Sequence, residues 1–118
     1  MQGFEFSCPT KIVCGAHALD KLPDEVADRG MKHPLVMTDA GLVKLGVAAK
    51  LTGVLDAADV PYEVFDQVPP DSSMDVVNEV ARLYADRGCD GFVAIGGGSV
   101  IDTTKGAAAS LACEGVDF

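Results

Sequence analysis

The chain alternates short apolar runs with amphipathic stretches, a pattern that predicts strands and helices in turn. Three runs have the length and apolar character of buried strands, at 35–38, 62–65 and 91–95. Two further short runs near the start, Phe4 to Phe6 and Lys11 to Cys14, are joined through a proline and predict a β-hairpin.

Apolar residues recur at helical spacing between these strands and after the last one. The second helix follows a turn at Ala40-Gly41, and a serine-x-x-acid cap at Ser72 to Asp75 precedes the third. A helix of small residues is predicted from about Val100 to Cys113. The predicted inward positions are Leu19, Leu22, Val26 and Ala27 in the first helix, Leu45, Ala48, Leu51, Thr52, Leu55 and Ala58 in the second, and Val76, Val77, Val80, Ala81 and Tyr84 in the third.

Strands and helices that alternate over such short connections predict a doubly wound α/β fold. We expect a mostly parallel sheet with helices on both faces, plus the N-terminal β-hairpin. A length of 118 residues suits one domain with a single core. The chain ends a few residues past a helix without a closing strand, which suggests a fragment.

The charge balance excludes two classes of partner. Eighteen acidic residues stand against nine basic ones that are scattered along the chain, so neither nucleic acid nor an anionic membrane surface is expected to bind. No apolar run approaches the roughly 20 residues that span a bilayer, and no leader segment is visible. The sequence therefore predicts a cytoplasmic protein.

The cysteines and histidines indicate neither a metal site nor a redox pair. Cysteines at 8, 14, 89 and 113 form no C-x-x-C motif, so free thiols are expected. His17 and His33 lie far apart in sequence, and neither has a partner at a metal-ligand spacing.

A glycine-rich turn, Gly96-Gly97-Gly98-Ser99, lies between the last strand and the last helix. Bare backbone and free N–H groups at a helix start suit an anion such as pyrophosphate. The turn departs from the G-x-G-x-x-G fingerprint because Ile101 occupies the third glycine position. Phosphate binding and a tight turn that only packs the helix on the sheet therefore both stay open.

Other polar residues near strand ends have two interpretations each. Ser99 and Asp102 have the spacing of a helix cap and could also meet a ligand, while Lys105 suits a bridge to Asp102. Asp39 follows a strand directly. Its carboxylate could accept ribose hydroxyls and repel a 2′-phosphate, or it could simply begin a turn.

The ten residues Gly96 to Lys105 resemble the G-G-G-S-x-x-D-x-x-K signature of iron-containing alcohol dehydrogenases, whose N-terminal domain has a dehydroquinate synthase-like fold. The resemblance covers essentially the whole chain. It implies that residues 1–118 form a dinucleotide-binding domain, with NAD preferred over NADP. The cofactor-binding residues that it implies are Asp39 at the adenosine ribose, Asp71 near the adenine, Gly97, Gly98 and Ser99 at the pyrophosphate, Gly96 in the same turn, and Asp102 close behind.

The same resemblance implies an oxidoreductase that interconverts an alcohol and an aldehyde or ketone. The family's divalent metal, iron or zinc, is held in a helical second domain that this chain lacks, so no catalytic or metal-binding residue is assigned here. The intact enzyme is expected to be a homo-oligomer. Two alternatives are a stand-alone nucleotide- or phosphate-binding module and a flavodoxin-like regulatory domain, and the second is disfavoured because only Asp39 is a well-placed acid.

Overall fold

The computed structural model describes residues 18–70 and 73–112. Within this part, three short strands form one parallel sheet in the spatial order β2-β1-β3. The parallel sheet confirms the predicted α/β class, whereas the predicted N-terminal hairpin lies outside the described residues. The strands are β1 (Leu35–Met37), β2 (Glu63–Phe65) and β3 (Phe92–Ala94).

Helices cover both faces of the sheet, as predicted. All three residues of β1 are fully buried, because Leu35 and Met37 face one apolar cluster and Val36 faces another. The first cluster includes residues of α4 and α5, and the second includes residues of α1 and α3. A 3-10 turn (Ala18–Lys21) precedes the helices α1 (Leu22–Asp28), α2 (Ala40–Lys44), α3 (Val47–Ala57), α4 (Met74–Asp86) and α5 (Gly98–Ala112).

The two strands that follow β1 in sequence are added to the sheet on opposite sides of it. From β1 the chain passes through α2 and α3 to β2 on one side, and α4 then carries it back past β1 to β3 on the other. Because α3 and α5 lie on opposite faces, the segments that leave β1 and β3 diverge. Such a divergence opens a crevice at the carboxyl ends of the strands, where open α/β sheets bind ligands.

The single helix predicted over 45–58 is wrong in its first turn. The structure has two helices there, α2 and α3, because Gly46 adopts a left-handed conformation with φ of 77° between them. Leu45 is consequently 76% exposed rather than buried, and Ala58 is exposed just after the end of α3. The predicted turn at Ala40-Gly41 is the first turn of α2.

Two smaller predictions about helices are also corrected. The cap of α4 is Ser73, whose hydroxyl accepts from the N–H of Val76 at 3.3 Å, and the predicted cap at Ser72 lies outside the described residues. Leu19 and Ala27 are exposed, since α1 is short and presents Val26 to the core. The inward positions predicted for α4 are buried or half-buried.

The amino end of the sheet is closed by Asp90, on the edge opposite the crevice. Its carboxylate accepts from the backbone N–H of Lys32 at 2.6 Å and of His33 at 2.9 Å, and its own N–H donates to the His33 carbonyl. Burial opposes the charge, but these donors outweigh it and hold the pKa of the Asp90 carboxyl below its usual value. Asp90 therefore has a structural role in joining two loops.

Candidate functional site

Backbone hydrogen bonds hold the carboxyl ends of the three strands together. The N–H of Ile95 donates to the Met37 carbonyl at 2.9 Å, and the N–H of Thr38 donates to the Phe65 carbonyl at 2.9 Å. The residues that follow each strand therefore start from one edge of the sheet. This arrangement brings Asp39, after β1, to the same edge as the glycine turn after β3.

Asp39 caps α2 and is half-buried. Its Oδ1 accepts from the N–H of Leu42 at 2.8 Å, and a Cβ at position 41 would lie 3.3 Å from that oxygen. The cap fixes the orientation of the carboxylate, so the interpretation of Asp39 as the start of a turn is correct in geometry. No described residue donates to Oδ2, which leaves that oxygen able to accept from a ligand.

Gly96 is required by the packing of the protein itself. Its φ is 155°, a conformation that L side chains rarely adopt, and a Cβ there would lie 2.6 Å from Cγ2 of Val100. The turn can therefore close onto the first turn of α5 only with glycine at this position.

Gly97 and Gly98 have no such requirement. A Cβ at either position would meet nothing within 4 Å, and neither residue has a positive φ. The N–H groups of Gly98, Ser99 and Val100 lie in the first turn of α5 and make no hydrogen bond to any described residue. The two glycines thus leave a bare, positively polarised helix start of the kind that binds phosphate.

The predicted cap at Ser99 and Asp102 is wrong because α5 begins earlier than expected, at Gly98. Ser99 lies inside the first turn, and its hydroxyl donates to the carbonyl of Pro70, which precedes α4. Asp102 is exposed on the next turn, and the described residues include no ion pair between Asp102 and Lys105. The predicted bridge of Lys105 is therefore also wrong.

A cleft of about 440 Å³ lies at the strand ends, a volume that suits a ligand site. It brings together Asp39, Gly97, Gly98 and Ser99 among the predicted residues. Gly96 lines an adjacent depression with Leu45 and Ile95, Asp102 lines neither, and Asp71 lies outside the described residues. The remaining residues that line the cleft are Ala40, Gly41, Val68, Pro69, Pro70 and Val100.

Sequence reasoning missed the wall that Val68, Pro69 and Pro70 form. The proline pair indicated only a loop, although its rigid backbone and its position after β2 could have identified it as a wall at the sheet edge. Another surface depression of the described part, about 650 Å³ between the 3-10 turn and α3, lies away from the strand ends.

The described residues contain no group of three or more His, Cys, Asp or Glu side chains placed to hold a metal ion. Cys89 is a half-buried free thiol whose pKa is raised by burial and by the nearby negative charges of Glu63 and Asp90. Among the helices of the described part, none has both the length and the apolar character to cross a membrane.

The structure shows a doubly wound α/β domain in which the start of α5 and the Asp39 carboxylate line one cleft. Comparison with known proteins places it more closely. The chain belongs to the iron-containing alcohol dehydrogenase family, whose sequence model matches residues 9–117. Its predicted resemblance is therefore confirmed.

Relatives agree in sequence and in structure. The chain is 38% identical over 116 residues to choline dehydrogenase of Bacillus subtilis (strain 168), covering 98% of this chain and 29% of that protein. It is 42% identical over 91 residues to lactaldehyde reductase of Escherichia coli (strain K12), covering 77% and 24%. The NADH-dependent butanol dehydrogenase A of Thermotoga maritima superposes with a TM-score of 0.83 at 28% identity, covering 98% and 29%. The chain thus spans about a quarter to a third of the length of these relatives.

Proposed function

We propose that this chain is the NAD-binding part of an oxidoreductase that interconverts an alcohol and an aldehyde or ketone. The observation that carries the proposal is the open start of α5 across one cleft from Asp39. The relatives, named as dehydrogenases and reductases of alcohols and aldehydes, support the reaction class. In the proposed domain organisation, residues 1–118 form the dinucleotide-binding domain and a helical metal-binding domain lies outside this chain.

Each part of the cleft has a task in this proposal. The unpaired N–H groups at Gly98, Ser99 and Val100 would receive the pyrophosphate, since they have no acceptor in the described residues. Gly96 shapes the turn, and Gly97 and Gly98 keep side-chain atoms out of the phosphate position. The proposed roles of Asp71 near the adenine and of Asp102 behind the turn stay predictions.

Asp39 supports a preference for NAD over NADP. Its carboxylate is held by the α2 cap through Oδ1, so Oδ2 can accept from a ribose hydroxyl without disturbing the cap. A 2′-phosphate at the same place would meet a fixed negative charge, and like charges in contact cost several kcal/mol. The Thermotoga maritima relative is an NADH-dependent butanol dehydrogenase, which agrees with this preference.

A bound nicotinamide ring supplies the hydride acceptor for alcohol oxidation. The residues of this chain bind and orient the nucleotide. The described residues contain no set of ligands that fits the family's iron or zinc, so the task proposed for this chain is confined to the nucleotide. The divalent metal, the cytoplasmic location and the homo-oligomer stay predictions.

The test is a calorimetric titration with NADH, NADPH and ADP-ribose. It measures the affinity of the wild-type chain and of Asp39→Asn for each nucleotide. The asparagine keeps an oxygen for the Leu42 N–H and removes the charge, so α2 stays capped. We expect the ratio of NADH to NADPH affinity to fall at least tenfold. Asp86→Ala, an exposed acid at the end of α4, is the control and should leave the ratio unchanged. An unchanged ratio in Asp39→Asn would contradict the role of Asp39, and no wild-type binding at millimolar nucleotide would contradict the proposed function.

A further inference from the structure

The hydroxyl of Ser99 is directed across the cleft rather than into it. It donates to the carbonyl of Pro70, a residue 29 positions earlier in the chain. This hydrogen bond joins the segment after β2 to α5. Beneath it, Val68 and Val100 pack in the same apolar cluster.

A serine hydroxyl has a single proton to donate. Phosphate oxygens of a dinucleotide carry negative charge and only accept, so Ser99 cannot serve Pro70 and a phosphate with the same proton. The backbone N–H groups at the start of α5 have no such competing partner. They can hold the pyrophosphate while the Ser99 hydroxyl stays with Pro70.

The position of Pro70 indicates the role of its hydrogen bond with the Ser99 hydroxyl. Pro69 and Pro70 line the cleft together with Asp39, the proposed ribose contact. A nucleotide with its phosphates at α5 and its ribose at Asp39 needs an apolar wall for the flat base, and the prolines with Val68 are apolar residues of the lining.

We infer that the Ser99 hydroxyl is a positioning group that holds the Pro69–Pro70 wall against α5 and so shapes the base pocket, and that it is not a phosphate ligand. This inference rests on the proposed nucleotide function. Ser99 then has two separate roles, since its backbone N–H binds the pyrophosphate and its hydroxyl holds the Pro69–Pro70 wall.

The experiment compares adenosine, which has no phosphate, with ADP-ribose, using NMR chemical-shift titrations of the 15N-labelled chain. Ser99→Ala should weaken both ligands by the same factor, about fivefold for one lost hydrogen bond. Ser99→Thr keeps a hydroxyl and should restore both affinities. Ser110→Ala, on the same helix about three turns away, is the matched control and should change neither.

Two outcomes overturn the inference. Loss of ADP-ribose affinity with adenosine affinity unchanged would make the hydroxyl a phosphate ligand, and unchanged affinity for both ligands would remove any role in the pocket. If Ser99→Ala does not fold, Ser99→Cys replaces the hydroxyl with a weak donor of similar shape and is judged by the same comparison. Wild-type protein that binds neither ligand would instead contradict the proposed function.

Discussion

Replacing Gly98 with alanine should separate stability from nucleotide binding. Gly98 begins α5, has no positive φ, and a Cβ there would meet nothing within 4 Å. Alanine is favoured over glycine inside a helix by about 0.5–1 kcal/mol, and the first turn should give the lower end of that range. We therefore expect the free energy of unfolding to rise by about 0.5 kcal/mol.

The same methyl group should harm binding. Gly98 lines the cleft, and a phosphate oxygen that accepts from an N–H there lies only about 2.9 Å from the nitrogen. The added Cβ competes for that space, so we expect NADH affinity to fall at least tenfold, about 1.4 kcal/mol. Urea unfolding followed by circular dichroism measures the first effect, and calorimetry measures the second.

Two control variants make the experiment decisive. Gly53→Ala, in the middle of α3 with open space around it, should gain stability and leave NADH binding unchanged. Gly96→Ala should lose about 2–4 kcal/mol of stability, because its backbone conformation and its 2.6 Å approach to Val100 both oppose a side chain. If the NADH affinity of Gly98→Ala lies within twofold of wild type, the start of α5 does not bind the phosphates as proposed. A clear loss of stability in the same variant would contradict the open space around position 98.

Two further predictions concern the fold. The buried hydroxyl of Thr38 has no partner in the described residues, so Thr38→Val, nearly the same shape, should raise the free energy of unfolding by about 1 kcal/mol. A loss in urea unfolding would instead reveal a hidden partner. The pKa of Asp90 is lower in the folded state than in the unfolded state, so its carboxylate stabilises the fold. This contribution to the free energy of unfolding is fully present above the unfolded-state pKa of about 4 and is lost as the pH falls through the folded-state pKa. Asp90→Asn should cost about 1 kcal/mol at pH 7 and flatten the fall in stability below pH 4, and an unchanged acid limb of the unfolding curve would contradict this.

The order of strands and helices could be predicted because burial leaves a periodic signal. The three residues of β1 are fully buried on both faces, and α4 places Val77 and Val80 in the core at helical spacing. The break at Gly46 could not be predicted from spacing alone, since a glycine inside a helical pattern can stay helical, as Gly53 does in α3. Only the left-handed conformation of Gly46 separates the two cases.

The sequence singles out several residues that line the cleft, but it does not show the hydrogen bonds between them. Asp39 and the glycine turn follow apolar strands, which is visible in the sequence. The hydrogen bond from the Ser99 hydroxyl to the Pro70 carbonyl is not visible in the sequence, because it depends on how the segment after β2 approaches α5. The start of α5 at Gly98, two residues earlier than its side-chain pattern suggests, places Asp102 in the second turn of the helix rather than in a cap, and its role behind the glycine turn stays a prediction.

If the cleft binds a nucleotide as proposed, the cap of α2 and the binding of that nucleotide would support each other. Asp39 Oδ1 is held by the Leu42 N–H, so the carboxylate is already oriented before a ribose arrives. The start of α5 is fixed by the close contact of Gly96 with Val100, so its free N–H groups need no rearrangement to meet a phosphate. Groups held in place in the free protein lose little conformational entropy on binding. The Pro69–Pro70 wall is joined to α5 by the hydrogen bond from the Ser99 hydroxyl. Substitution of this hydroxyl should therefore change recognition of the base more than recognition of the phosphate.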